Sequence, residues 1–153
     1  MKIGAASFLL TESSILLGLK KRGFGSGKWN GFGGKILPDE QPELAAVREI
    51  QEESELVVAP SDLEVMGEVN FYFAGVYVFQ VFVFLVRKWP GQEKETEEMR
   101  PERLSLSAIP YEQMWVSDSK WLPLVLSGKK IKARTDFDES GEVLEKFSYE
   151  ELV

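Results

Sequence analysis

The sequence predicts an α+β fold: a mixed β-sheet with helices packed on it, in a single domain spanning 1–153. Three observations predict it. The chain has 153 residues, 44% of them hydrophobic and 28% charged, which suits one well-cored globular unit. No repeat, low-complexity tract or Pro/Gly/Ser linker divides it. The elements read in the order β-β-α-β-β-β-α-β-β, and strands that follow strands favour a mixed sheet over a doubly wound parallel one.

Each element has its own signal. Ile3–Leu10 and Ile15–Leu19 are apolar runs flanking the polar Thr11-Glu12-Ser13-Ser14, the pattern of a hairpin. Gly23–Gly34 is a loop holding six glycines among Phe24, Trp29, Asn30 and Phe32. Pro42 followed by Glu43 marks a helix start that runs to about Ser54. Leu63–Phe73 and Gly75–Arg87, rich in Val, Phe and Tyr, form a second strand pair. The acidic stretch Trp89–Arg100 reads as a loop and Arg103–Leu106 as a short strand. Ser117–Ser127 is a second helix, kinked or begun late by Pro123. Lys129–Phe137 and Val143–Tyr149 close as a last hairpin.

Composition removes whole classes of chemistry. Cysteine and histidine are both absent, which excludes disulfides, thiol nucleophiles, Cys/His zinc sites and any histidine base. Proton and metal chemistry must run on carboxylates, Lys, Tyr or hydroxyls. The net charge of −7 argues against a nucleic-acid polymer as partner. The longest apolar stretch, Val76–Val86, is broken by Gln80 and falls short of the roughly 20 residues that span a bilayer. The expectation is a soluble, cytoplasmic monomer that binds a small molecule and no membrane.

The sharpest signal is Arg48-Glu49-Ile50-Gln51-Glu52-Glu53. At 3.6 residues per turn, Glu49, Glu52 and Glu53 fall within an arc of roughly 100°, while Leu44, Val47 and Ile50 occupy another arc fit for burial. Arg48 lies four residues before Glu52, within reach to orient it. Three neighbouring carboxylates repel one another unless a hard cation joins them, and oxygen ligands select Mg²⁺ or Mn²⁺. A P-loop at Gly27-Lys28 fails, because Arg22 stands where the first glycine belongs and Trp29 where Ser or Thr is required.

Read back from the helix, Gly34-x5-Glu40-x7-Arg48-Glu49-Ile50-x-Glu52-Glu53 resembles the signature of the Nudix hydrolases. That family cleaves nucleoside diphosphates linked to another moiety. By composition the fixed residues recur by chance on the order of once per 10⁶ positions. The chain departs from the pattern at Glu55, where the family usually has the glycine that caps the helix in a left-handed conformation.

The resemblance implies the Nudix fold, an α/β/α sandwich around a central mixed sheet. It also implies Mg²⁺ held by Glu49, Glu52, Glu53 and the Gly33 carbonyl. Glu98, in the acidic loop, is the implied outside ligand or base. Glu53 is the favoured base and Glu98 the second choice; Arg48 joins the catalytic group by pairing with Glu40 to hold loop and helix together.

The segments Leu17–Gly25, Lys28–Gly34, Glu98–Pro101 and Met114–Leu124 further resemble the branch of the family that acts on oxidised purine nucleoside triphosphates. That likeness implies a role in limiting DNA damage by sanitising the nucleotide pool. It places Lys20, Phe24, Asn30, Phe32, Gly33, Gly34, Lys35, Phe71, Phe73, Trp115, Ser117 and Asp118 around the nucleotide. Asn30 and the pair Ser117 and Asp118 would read the base edge, and Trp115 would stack on it. Ser117 stands where that branch has an acid. Alternatives are a broad triphosphate pyrophosphatase and a Nudix-scaffold nucleotide sensor.

Overall fold

The computed structural model describes residues 1–153. Nine strands form one mixed sheet: β1 (Lys2–Leu10), β2 (Ser14–Lys20), β3 (Trp29–Asn30), β4 (Phe32–Lys35), β5 (Leu63–Phe73), β6 (Val76–Val86), β7 (Met99–Ser105), β8 (Ile131–Phe137) and β9 (Leu144–Glu151). Two helices complete it, α1 (Pro42–Ser54) and α2 (Asp118–Leu126). The strand order is β3-β2-β1-β6-β5-β8-β9, with β4 on β1 and β7 on β2. The pairs β1–β6 and β5–β8 are parallel, and the others antiparallel.

Alternation along the central strands separates two cores. In β1, Phe8 and Leu10 face α2, while Ala5 and Leu9 face α1; in β6, Val83 and Leu85 oppose Phe84 and Val86 in the same way. Trp121, Leu122 and Val125 of α2 join the first face, and Ala46 and Ile50 of α1 join the second. The sheet is therefore sandwiched between helices. No helix is long and apolar enough to cross a membrane.

Four readings need correction. The glycine loop contains β3 and β4, because β4 has an open edge of β1 to pair with (Ala5 opposite Gly34, Ser7 opposite Phe32). The short late strand begins at Met99 and not Arg103, since seven residues of β7 pair along all of β2. Pro123 does not delay α2, which starts at Asp118 and runs through it, held by the burial of Trp121, Leu122 and Val125. The inward face of α1 is Ala45, Ala46 and Ile50; Leu44 is exposed and Val47 only half-buried. Ala46 packs with Ala5 of β1 and Phe84 of β6.

Candidate active site

Helix α1 brings its carboxylates against β4 because the partner strand has no side chains in the way. A Cβ on Gly34 would stand 2.7 Å from the Glu49 carboxyl carbon, and one on Gly33 would overlap the Ala5 carbonyl oxygen. A side chain at Gly34 would push the helix away from β4, and one at Gly33 would push β4 away from β1. The three glutamates of the helix are not equivalent. Glu53 is buried, Glu49 is largely buried, and Glu52 points outward at 55% exposure.

Each carboxylate already has protein partners. The Gly33 N–H donates to Glu53 Oε1 at 2.8 Å, and Lys20 Nζ lies 3.8 Å from its Oε2. Burial pushes Glu53 up to about 8, against the Gly33 N–H and the Lys20 charge. Burial also raises Glu49 above the usual carboxylate range. Glu98, from the loop before β7, receives Arg22 Nη2 at 2.8 Å on Oε1 and Lys20 Nζ at 3.7 Å on Oε2. The Arg22 hydrogen bond holds Glu98 below its ordinary value.

Lys20, Gly33, Gly34, Glu49, Glu52, Glu53 and Glu98 line one cavity of about 470 Å³, with no hydrophobic residue among them. No three of its carboxylates close into a ready-made metal cluster; the chain's own cations and N–H groups occupy them. The donor set nevertheless fits a hard divalent cation. Its donors are oxygens of four carboxyl groups, seated where a Cβ on Gly34 would intrude.

Arg48 lines no part of this cavity. Its Nε and Nη2 grip both oxygens of Glu40 at 2.8 and 2.9 Å, Nη2 reaches the Lys35 carbonyl, and Nη1 donates to Glu49 Oε1 at 2.8 Å. This fork ties the β4–α1 loop to the helix and aims Glu49. It is the main reason Glu40 is held down to about 2.

A second, aromatic cleft of about 540 Å³ opens from the same floor; Lys20, Gly33, Gly34 and Glu53 line both. Phe24, Asn30, Lys35, Phe71, Phe73, Trp115 and Asp118 line the cleft as expected from the sequence. Two expected residues do not. Phe32 is fully buried in the α1 core, because β4 turns alternate residues toward the helix. Ser117 is fully buried just before α2, outside the cleft, and its Oγ has no hydrogen-bond partner.

Asn30 is already committed: its Oδ1 accepts the Trp115 indole N–H at 3.0 Å, and its Nδ2 donates to the Lys28 carbonyl at 2.9 Å. It therefore fixes the indole and keeps only part of its amide free. Phe24 stacks on Trp115 at 4.9 Å between centroids, although its ring is largely exposed. Asp118, 7% exposed, is pushed up to about 7 by burial, with the Lys28 charge opposing.

Sequence reasoning missed Phe79, Trp121, Phe137 and Gly141, all of which line the cleft. Phe79 stands opposite Phe71 in the β5–β6 register, and Phe137 opposite Phe73 in β5–β8. Alternating aromatics were the available signal, but only register says which strands place them side by side.

Comparison with known proteins agrees with this architecture. A NUDIX domain family model matches residues 1–125. The oxidized purine nucleoside triphosphate hydrolase of Danio rerio is 42% identical over 132 residues, covering 86% of this chain and 83% of its own. The protein of the same name from Mus musculus is 41% identical over 137 residues, covering 89% and 86%. A MutT protein from Bacillus halodurans shares the fold at a TM-score of 0.81 and 18% identity, covering 98% of both chains. Nudix hydrolases generally use divalent metal ions, which suits the four carboxyl groups of the cavity. On the family match and on the identity to these relatives across most of the sequence, the chain belongs to the Nudix hydrolase family.

Proposed function

We propose that the protein hydrolyses oxidised purine nucleoside triphosphates to the monophosphate and pyrophosphate, with Mg²⁺ as its cation, and so cleanses the nucleotide pool. One observation carries this reading. An apolar cleft with the buried carboxyl of Asp118 in its wall opens directly into a cavity of four glutamates, and the two share Lys20, Gly33, Gly34 and Glu53. A flat base with an altered polar edge suits the first, and a polyphosphate the second. The names of the relatives support the same substrate class.

Glu49, Glu52, Glu53, Glu98 and the Gly33 carbonyl would hold the cation. When bound, a divalent cation supplies the charge that keeps these carboxyls ionised, screens the phosphates and acidifies water. The chain's own groups do the rest. The Gly33 N–H fixes Glu53 by Oε1, leaving Oε2 to take the proton of the water that attacks phosphorus. Lys20, at the junction, faces the phosphates. Arg48 acts at one remove, holding Glu49 and the β4–α1 loop. Trp115, held by Asn30, offers the stacking surface, while Asp118 meets the base edge as donor when protonated and acceptor when ionised.

We take the reactive unit to be the whole chain, since β8 and β9 extend the same sheet and supply Phe137 and Gly141 near the cleft. The test is Mg²⁺-dependent pyrophosphate release from 8-oxo-dGTP, 2-hydroxy-dATP, O6-methyl-dGTP and the four normal dNTPs. A modified purine favoured tenfold or more, about 1.4 kcal/mol, supports the reading. Flat turnover of every triphosphate would replace it with a broad pyrophosphatase, and binding without turnover with a sensor.

A further inference from the structure

The cavity draws its carboxylates from two places far apart in the chain: the C-terminal turn of α1, which carries Glu53, and the loop that carries Glu98. The separation between them is fixed by whatever ties that loop to that helix. The Lys20 ammonium lies between the two carboxylates, 3.8 Å from Glu53 and 3.7 Å from Glu98, and one further side chain joins the helix backbone to the loop backbone. The Thr96 hydroxyl donates to the Glu53 carbonyl at 3.1 Å and accepts from the backbone N–H groups of Glu98 at 3.3 Å and Met99 at 3.2 Å.

The surrounding backbone makes Thr96 a junction of three elements. Its own N–H donates to the Met99 carbonyl at 2.9 Å, closing the turn that presents Glu98 at the start of β7. Its carbonyl accepts Lys21 Nζ at 2.8 Å from the end of β2. Two residues earlier, the Lys94 N–H donates to the Ser54 carbonyl at 2.9 Å.

These contacts also account for Glu55. A helix end leaves its last carbonyls without partners. Here Glu55, left-handed at φ 63°, caps only the Gln51 carbonyl with its own N–H. The Glu53 and Ser54 carbonyls are met instead by Thr96 and Lys94, from across the cavity. The helix end is thus finished by the same loop that delivers Glu98.

We propose that Thr96 is a positioning residue that sets Glu98 against Glu53, so that the cation site forms only while its hydroxyl bridges helix and loop. This rests on the metal-dependent hydrolase reading. Thr96 touches neither substrate nor cation and acts through the two glutamates. Groups that orient metal ligands from behind typically change metal affinity by about 10- to 100-fold when removed.

The experiment titrates Mn²⁺ alone, read as free Mn²⁺ by electron paramagnetic resonance, into the wild type, Thr96→Val and Thr96→Ser. The valine variant should bind Mn²⁺ at least about tenfold more weakly, and the serine variant, which keeps the hydroxyl, should match the wild type. In a Glu98→Gln background, Thr96→Val should cost much less affinity than it does alone, because the two act through one ligand.

Equal affinity in wild type and Thr96→Val would overturn the proposal. So would equal losses in the valine and serine variants, or losses that add fully with Glu98→Gln. If the valine variant does not fold, Thr96→Ala removes the same hydroxyl and is read the same way. Failure of the wild type itself to bind Mn²⁺ would instead overturn the underlying metal reading, and is visible before any variant is made.

Discussion

The carboxylate cavity and the aromatic cleft share a floor but are built by opposite means. The cavity is assembled from one helix, one glycine strand and one loop, and hydrogen bonds and ion pairs fix its side chains: Arg48 on Glu49, the Gly33 N–H on Glu53, Arg22 on Glu98. The cleft takes its walls from β1, β5, β6, β8 and the segments around Phe24 and Trp115, and is held mainly by packing. Its aromatic contacts are ordinary edge-to-face and stacked pairs, with centroid separations of 5.7–6.4 Å among Phe71, Phe73, Phe79 and Phe137. A charged site needs directional restraint because its groups repel one another. An apolar site needs only shape, and can shift to fit a ligand.

Four perturbations separate the two regions, from the largest expected effect to the smallest. Glu53→Gln should remove the base and lower kcat about 10³-fold, while nucleotide binding in the cleft survives. Loss of binding in parallel with kcat, measured by calorimetry, would show that the two regions are not independent. Trp115→Ala should act the other way, raising KM for modified purines about 10- to 100-fold through lost stacking, with kcat little changed. A fall in kcat of the same size would mean that the indole also orders the cavity.

Two buried carboxyls, Glu53 on the shared floor and Asp118 in the cleft, predict how stability follows pH in the metal-free protein. Glu53 keeps its proton to about 8 and Asp118 to about 7, against 4.5 and 3.8 for the ordinary groups. Between those limits the folded state binds more protons than the unfolded chain, so stability falls as pH rises from about 4 to 8 and levels off above. Melting temperatures in chelator should trace that decline. Glu53→Gln should remove the part nearer pH 8, and Asp118→Asn the part nearer pH 7.

The smallest effect is at Glu55. Glycine at this left-handed position should raise stability by about 1 kcal/mol, seen as a modest rise in denaturation midpoint with activity unchanged. A drop in stability would mean that the Glu55 side chain makes contacts that outweigh its backbone strain.

The cavity was largely legible in the sequence because its spacing is local: Gly34, Glu40, Arg48, Glu49 and Glu53 lie within 20 residues, and helical periodicity places them. Even so, periodicity misjudged the buried face of α1. It weighed Leu44 by hydrophobicity, whereas the face turned inward carries Ala45, Ala46 and Ile50 and leaves Leu44 exposed. Phe32 and Ser117, placed at the nucleotide by the family resemblance, lie outside the cleft. Strand alternation and the turn before α2 send both side chains inward, which a motif match does not reveal.

The sequence by itself determined the chemistry: no histidine or cysteine, clustered glutamates on one helix, glycines where that helix must come near. Tertiary structure alone decided which aromatics meet around the cleft, that Asn30 is spent on Trp115, and that the loop at Thr96 finishes the helix end. The physical reason is range. Composition and helical spacing are properties of adjacent residues, whereas strand register and a bond across 43 positions, from Thr96 to Glu53, exist only once the sheet has formed.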